Sequence, residues 1–138
     1  MKIENCKLKI GKDGFTLLEL LIVIAIIGIL VAMGTVSYST AQKRARDTQR
    51  RGDLKAIQDG FEQYYAQNNG NYPSSCSIST DYLPAGIPKD PKTGSNYSQS
   101  CSVSAYCFCG LLEGGNGNAT NASCSFGSGS YFCVKNLQ

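Results

Sequence analysis

The feature that most limits what this chain can fold into is an apolar run near its start. Phe15 to Val36 holds one charged side chain, Glu19, and from Leu20 to Val36 there is none. As a helix rising about 1.5 Å per residue this stretch is roughly 33 Å long, which matches a bilayer hydrocarbon core of about 30 Å. It can therefore span a membrane. Glu19 does not suit a plain anchor, because an ionised carboxylate at the centre of such a helix costs about 2.5 to 3.5 kcal/mol, and less toward an end. It needs a partner, or a local role in the first helical turn, where a carboxylate is favourable against the helix dipole.

Before this run stands a basic leader ending in Lys12-Asp13-Gly14, and the run itself opens Phe15-Thr16-Leu17-Leu18-Glu19. A basic leader closed by glycine, a phenylalanine with an acid four places on, and then a hydrophobic helix resemble the class III signal of type IV pilins and of the pseudopilins of type II secretion. The resemblance is close from Gly14 to about Pro73 and generic beyond. It implies cleavage between Gly14 and Phe15 by a prepilin peptidase, N-methylation of Phe15, and pairing of Glu19 with the charged amino terminus of a neighbouring subunit. It also implies an inner-membrane assembly platform as a partner. Two other readings of the run are a cleaved secretory signal, with Ala32 and Gly34 at small-residue spacing before Thr35, and a simple anchor. Against the first, the run exceeds the usual h-region of about 7 to 15 residues, and an acid inside one is unusual. In the family a proline commonly stands where this chain has Val36. Only Gly28 and Gly34 are left to loosen the helix, each by up to about 1 kcal/mol relative to alanine.

Removing residues 1–14 lowers the formal charge from +3 to +1, so net charge says little about partners. Its distribution says more. Lys43, Arg44, Arg46, Arg50 and Arg51 stand with only Asp47 just past the apolar run, and the chain from Gly52 onward is mildly acidic. These cations could be taken for a nucleic-acid patch, but they adjoin the membrane segment, and a filament would pack them against Asp47, Asp53, Asp59 or Glu62 of its neighbours. Nucleic acid is therefore not the expected partner.

Of the seven cysteines, Cys6 lies in the leader and Cys76, Cys101, Cys107, Cys109, Cys124 and Cys133 lie in the distal half. An even set in so small a head reads as three disulfides in an oxidising compartment, which puts the head outside the cytoplasm and the leader inside. Cys107 and Cys109 are two apart on an expected strand and face the same side. They cannot both pair with Cys133 across a hairpin, so one must reach Cys124 or Cys101. The lack of histidine and the C-x-C spacing argue against structural zinc.

No proline occurs before Pro73, and Gln42 to Gln67 are mostly good helix formers, so the helix is expected to run on to the stop signal Asn68-Asn69-Gly70-Asn71-Tyr72-Pro73. Its exposed half carries two stripes. Tyr38, Ala41, Ala45, Thr48 and Gly52 are small after the first member and suit close approach by another helix; Leu54, Ile57, Phe61, Tyr64 and Tyr65 are large enough to hold a sheet. Ser74 to Ser100 is expected to have little regular structure. Ser102–Glu113 and Ser130–Lys135 are strand candidates, joined by a Gly-, Asn- and Ser-rich loop from Gly114 to Gly129.

No catalytic constellation is present. Without histidine there is no Ser-His or Cys-His nucleophile, and Asp81, Asp90 and Glu113 fall in no paired spacing. The loop from Asp81 to Asn96 resembles in position the calcium-binding loop of major secretion pseudopilins. Only Asp81 and Asp90 bring charge there, so an Asp-Pro turn is the expected role and calcium the alternative. No other cofactor is expected. Asn96, Asn118 and Asn121 head N-x-S/T sequons and are read as surface-loop markers.

The sequence thus predicts an α+β pilin fold: leader 1–14, apolar membrane and assembly helix 15–36, amphipathic stem 37–69, and a disulfide-stapled head 70–138 with a small antiparallel sheet. The expected role is a structural filament subunit that polymerises with copies of itself and sits in the inner membrane before assembly. The alternatives are a periplasmic secretion pseudopilus and a tethered binding head that never polymerises.

Overall fold

The computed structural model describes residues 14–138. The leader reading and Cys6 lie outside the described residues. One helix, α1 (Leu17–Gln67), is followed by five strands: β1 (Ser98–Cys101), β2 (Tyr106–Leu111), β3 (Gly117–Ala119), β4 (Phe126–Gly129) and β5 (Tyr131–Lys135). This is the α+β arrangement the sequence predicts. Two compact units are present, one up to Tyr38 and the other from Ser39 to Gln138.

In the first unit every described side chain is exposed. The helix backbone runs through Gly28, Gly34 and Val36 without interruption, so neither glycine breaks it. Its start is set by Thr16, whose hydroxyl oxygen accepts the Glu19 N–H at 3.2 Å, while the Glu19 carboxylate accepts the Thr16 N–H at 2.9 Å. Thr-Leu-Leu-Glu is a capping box, satisfying two backbone donors that the first turn leaves open.

In the second unit the large stripe is the core. Leu54, Ile57 and Phe61 are fully buried, and Phe61 meets the rings of Tyr106 and Phe108 with centroids 4.8 and 5.1 Å away. Tyr65 stacks on Tyr72 at 4.5 Å, and Tyr64 meets Tyr82 edge-on at 5.3 Å. Each fully buried large side chain contributes about 1.5 to 3 kcal/mol. The small stripe is exposed at Ala41, Ala45, Thr48 and Gly52. The helix stops where expected, with Asn69 and Gly70 at positive φ (55° and 74°) and the Gly70 N–H returning to the Tyr65 carbonyl at 3.2 Å.

The sheet order is β1-β2-β5-β3-β4, antiparallel throughout. Its centre, β2 against β5, falls within the two predicted strands. The outer strands are corrections. β1 overlaps the end of the stretch expected to be irregular, and β3 and β4 form a hairpin inside the expected loop. β1 is Ser-Gln-Ser-Cys, mostly exposed, and so lacks the apolar alternation that marks a strand. In the hairpin the glycines are structural: a Cβ on Gly117 would run into the backbone of Tyr131, and one on Gly129 into the backbone of Ala119. Strand pairing there needs glycine, the residue that reads as loop.

Three disulfides staple the head. Cys109–Cys133 joins directly opposed residues of β2 and β5, Cys107–Cys124 draws the connection between β3 and β4 onto the same face of β2, and Cys76–Cys101 ties the segment after α1 to β1. The loops they close span 25, 17 and 24 residues. In the chain-entropy picture each is worth about 3 kcal/mol.

Candidate functional site

Phe15 and Glu19 stand at the exposed start of α1. The capping interactions use one carboxylate oxygen of Glu19: Oε2 accepts both the N–H and the hydroxyl of Thr16, at 2.9 and 2.8 Å. Oε1 has no partner among the described residues. The carboxylate therefore has a local role in the single chain that occupies only one of its two oxygens among the described residues.

The second polar constellation belongs to the head and is centred on Arg50, whose side chain is 3% exposed. Its Nε and Nη2 donate to the two oxygens of Asp90 at 2.6 and 3.2 Å, and its Nη1 donates to Asp47 at 2.8 Å and Glu113 at 3.1 Å. Arg46 forms a second fork on Glu113 at 2.7 and 2.9 Å, and Lys92 reaches it at 3.2 Å. Asp47 also accepts the N–H groups of Glu113 and Gly114 at 2.9 and 2.8 Å. Three cations thus balance three carboxylates drawn from the stem, the loop before β1 and the turn after β2. Asp90 and Glu113 share no spacing that implies a common site; the fold brings them together as anchors for arginine, not as an acid and a base.

The electrostatics follow. Hydrogen bonding to Arg50 holds Asp90 well below the ordinary carboxylate range, and Arg46 does the same for Glu113. Burial pushes Asp47 up, but the two backbone N–H groups and Arg50 outweigh it and leave it lowered. Opposite effects act on three tyrosines. Burial and hydrogen bonds to Glu62 raise the Tyr72 phenol to about 12 and Tyr106 further, and burial with a 2.7 Å bond to Asp53 raises Tyr97.

A group with a lowered folded pKa stabilises above its unfolded value and loses that contribution as pH falls through the folded one; a raised group loses its contribution as pH rises through the folded value. The head is therefore expected to hold a stability plateau from about pH 5 to about pH 10, falling on both sides. Near-UV tyrosine dichroism during thermal melts of the detergent-solubilised chain checks this. A melting temperature unchanged from pH 5 to pH 2 would contradict the carboxylate half.

Asp81 and Asp90 do different things. Asp81 is exposed and exchanges hydrogen bonds with Ser79, its hydroxyl donating at 2.9 Å. Asp90 makes the expected turn, accepting the Lys92 and Thr93 N–H groups at 2.9 Å each, with Gly94 at φ 68°. A cation at Asp90 would have to displace the Arg50 guanidinium. The sulfurs of Cys107, Cys109 and Cys124 lie within 4.8 Å of one another, but each is in a disulfide, so no thiolate is left to bind metal. Of the sequon asparagines, Asn118 is engaged in the sheet, exchanging both amide hydrogen bonds with the backbone of Cys133 at 2.9 and 2.7 Å.

Sequence reasoning missed the Arg50 centre. The i, i+3 pair Asp47 and Arg50 is visible, but Asp90 and Glu113 lie 40 and 63 residues from Arg50 and carry no pattern that points to it. It also offered Asp47, Asp53 and Glu62 as partners for a neighbour's cations. The structure commits them within the chain: Asp47 to Arg50, Asp53 to Tyr97, and Glu62 to Tyr72, Tyr106 and the Leu137 N–H.

The profile of the prokaryotic N-terminal methylation motif matches residues 11–35. The chain is 36% identical over 103 residues to the type IV wide pilus major component of Thermus thermophilus, covering 74% of this chain and 75% of that protein. It is 36% identical over 64 residues to the type II secretion system core protein G of Pseudomonas aeruginosa, covering 46% of this chain and 44% of that one. To a fimbrial protein of Neisseria meningitidis it is 33% identical over 92 residues, covering 67% of this chain and 50% of that one. No solved structure matches significantly.

Proposed function

Because this chain belongs to the type IV pilin and pseudopilin family, we propose that it is the structural subunit of a type IV pilus or pilus-like filament. It is made as an inner-membrane precursor with its head outside the cytoplasm. A prepilin peptidase cuts after Gly14 and methylates Phe15, and an assembly platform draws the subunit into a helical filament of its copies. The observation that carries this reading is the first unit: an exposed apolar helix opening on a single carboxylate whose Oε1 has no partner among the described residues. In lipid that oxygen loses much of its desolvation penalty beside a neighbour's Phe15 ammonium. The subunit itself acts by assembly, and the cleavage and methylation are the peptidase's chemistry.

The secretion pseudopilus is the second reading, since the likeness extends to a core protein of that system. Three disulfides favour a filament exposed to the medium, where covalent stapling is most useful. Calcium has the weaker claim on the Asp81 to Asn96 loop, because Asp90 is held by Arg50. Mass spectrometry with terminal sequencing of the membrane-extracted subunit tests the processing step. The expected terminus is N-methyl-Phe15; one at Met1 or Thr35 would contradict it.

A further inference from the structure

Beside the Arg50 centre lies a groove of about 570 Å³ between the stem and the segment after β2, lined by Lys43, Arg44, Asp47, Arg51 and Glu113 among others. Its acids are already spent: Asp47 on Arg50, and Glu113 on Arg46, Arg50 and Lys92. Its cations are not. Lys43 and Arg44 have no ion pair or side-chain hydrogen bond among the described residues. Arg51 donates to the Asn116 carbonyl and rests over the Phe132 ring 4.9 Å from its centroid, which positions the guanidinium without neutralising it. The groove thus presents three uncompensated positive charges.

The complementary charge is on the same chain. Among the described residues of the head, Asp47, Asp53, Glu62, Asp90 and Glu113 are all engaged by arginines, tyrosines or backbone donors, and Asp81 is held in its own turn by Ser79. Asp59 is exposed and has no hydrogen bond or ion pair among the described residues; Lys55, one turn before it, donates to Gln58 at 3.0 Å instead. Asp59 lies on the helix that carries Lys43 and Arg44, about 23 Å further along at 1.5 Å per residue.

We propose that the groove of one subunit receives Asp59 of a second copy, so that Lys43, Arg44 and Arg51 read the neighbour's position along the helix. Parallel copies meet this way only when shifted along their helices by roughly that distance, so the copy that supplies Asp59 is a different neighbour from the one whose Phe15 meets Glu19, a pairing that spans only four residues. Such a contact is heterologous, leaving a free groove at one end and a free Asp59 at the other, and it propagates into a filament instead of closing a dimer. Single exposed pairs add little affinity, but like charges forced together are strongly unfavourable, so the groove discriminates register more than it adds affinity. The inference rests on the filament reading and adds the register contact.

The test uses the full chain in cells. Asp59→Lys is expected to lower filament mass about tenfold, Lys43→Glu with Arg44→Glu to do the same, and the three together to recover most of the yield. Arg44→Cys with Asp59→Cys is expected to give a ladder of cross-linked oligomers on non-reducing gels that neither single variant gives. Near-UV dichroism confirms that each head is folded, and Asp59→Asn stands in if Asp59→Lys is not. Normal filament mass in Asp59→Lys, or no ladder from the cysteine pair while the parent forms filaments, would overturn the groove and leave the filament reading standing. Loss of binding to phosphatidylglycerol vesicles on reversing Lys43 and Arg44, with Asp59→Lys silent, would overturn it in favour of a lipid headgroup. A parent without filaments would remove the filament reading and this inference together.

Discussion

Glu19→Leu is expected to insert into the membrane at least as well as the parent and to form no filaments. Leucine removes a charge that costs up to about 2.5 to 3.5 kcal/mol in lipid, so insertion gains what assembly loses. Leucine also removes the carboxylate half of the capping box, however, and a frayed helix start would give the same defect. Glu19→Gln separates the two. A glutamine keeps the side-chain acceptor that Thr16 needs in the capping box but has no charge for a neighbour's ammonium. Glu19→Gln is therefore expected to lose filaments nearly as completely as Glu19→Leu, a deficit of more than about tenfold in filament mass, since a charge-assisted contact becomes a neutral one in a low-dielectric site. Filaments at parental yield from Glu19→Gln would mean that Glu19 is only a cap, and the tethered-head reading would then be the better one.

The second large effect is on the head. Arg50→Met is expected to destabilise it by about 3 to 5 kcal/mol, because removing one partner of a buried ionic centre leaves the others desolvated and uncompensated. Asp90 loses both of its guanidinium bonds, and Asp47 and Glu113 lose one each. Arg50→Lys is expected to fall between, since an ammonium restores the charge but not the two-pronged geometry on Asp90. Urea unfolding followed by near-UV tyrosine dichroism measures both. A loss below about 1 kcal/mol for Arg50→Met would place the centre with surface pairs, which rarely contribute more.

What the sequence made legible is local or periodic. The apolar run, the stop at Asn68 to Pro73 and the large stripe from Leu54 to Tyr65 are patterns along the chain, and the structure follows each. The cysteine geometry was readable in outline: Cys109 takes Cys133 and Cys107 takes Cys124, as two neighbours on one face of β2 require. What stayed hidden depends on residues far apart. The polar edge strand β1 is held by pairing with β2, and glycines at 117 and 129 are selected by backbone approach across the sheet. The Arg50 centre joins segments whose separations have no period. Such ionic contacts are properties of the folded surface, and their absence from the reading made Asp47 and Glu62 look available to neighbours when they are not.

Polymerisation of this chain is open to direct observation. Immunogold negative-stain electron microscopy of cells expressing the unaltered chain, with antibody raised against the head, tests it most directly. Filaments decorated along their length are the predicted result. Label confined to the cell envelope, with the subunit cleaved after Gly14 and recovered only as membrane-bound monomer, would contradict it.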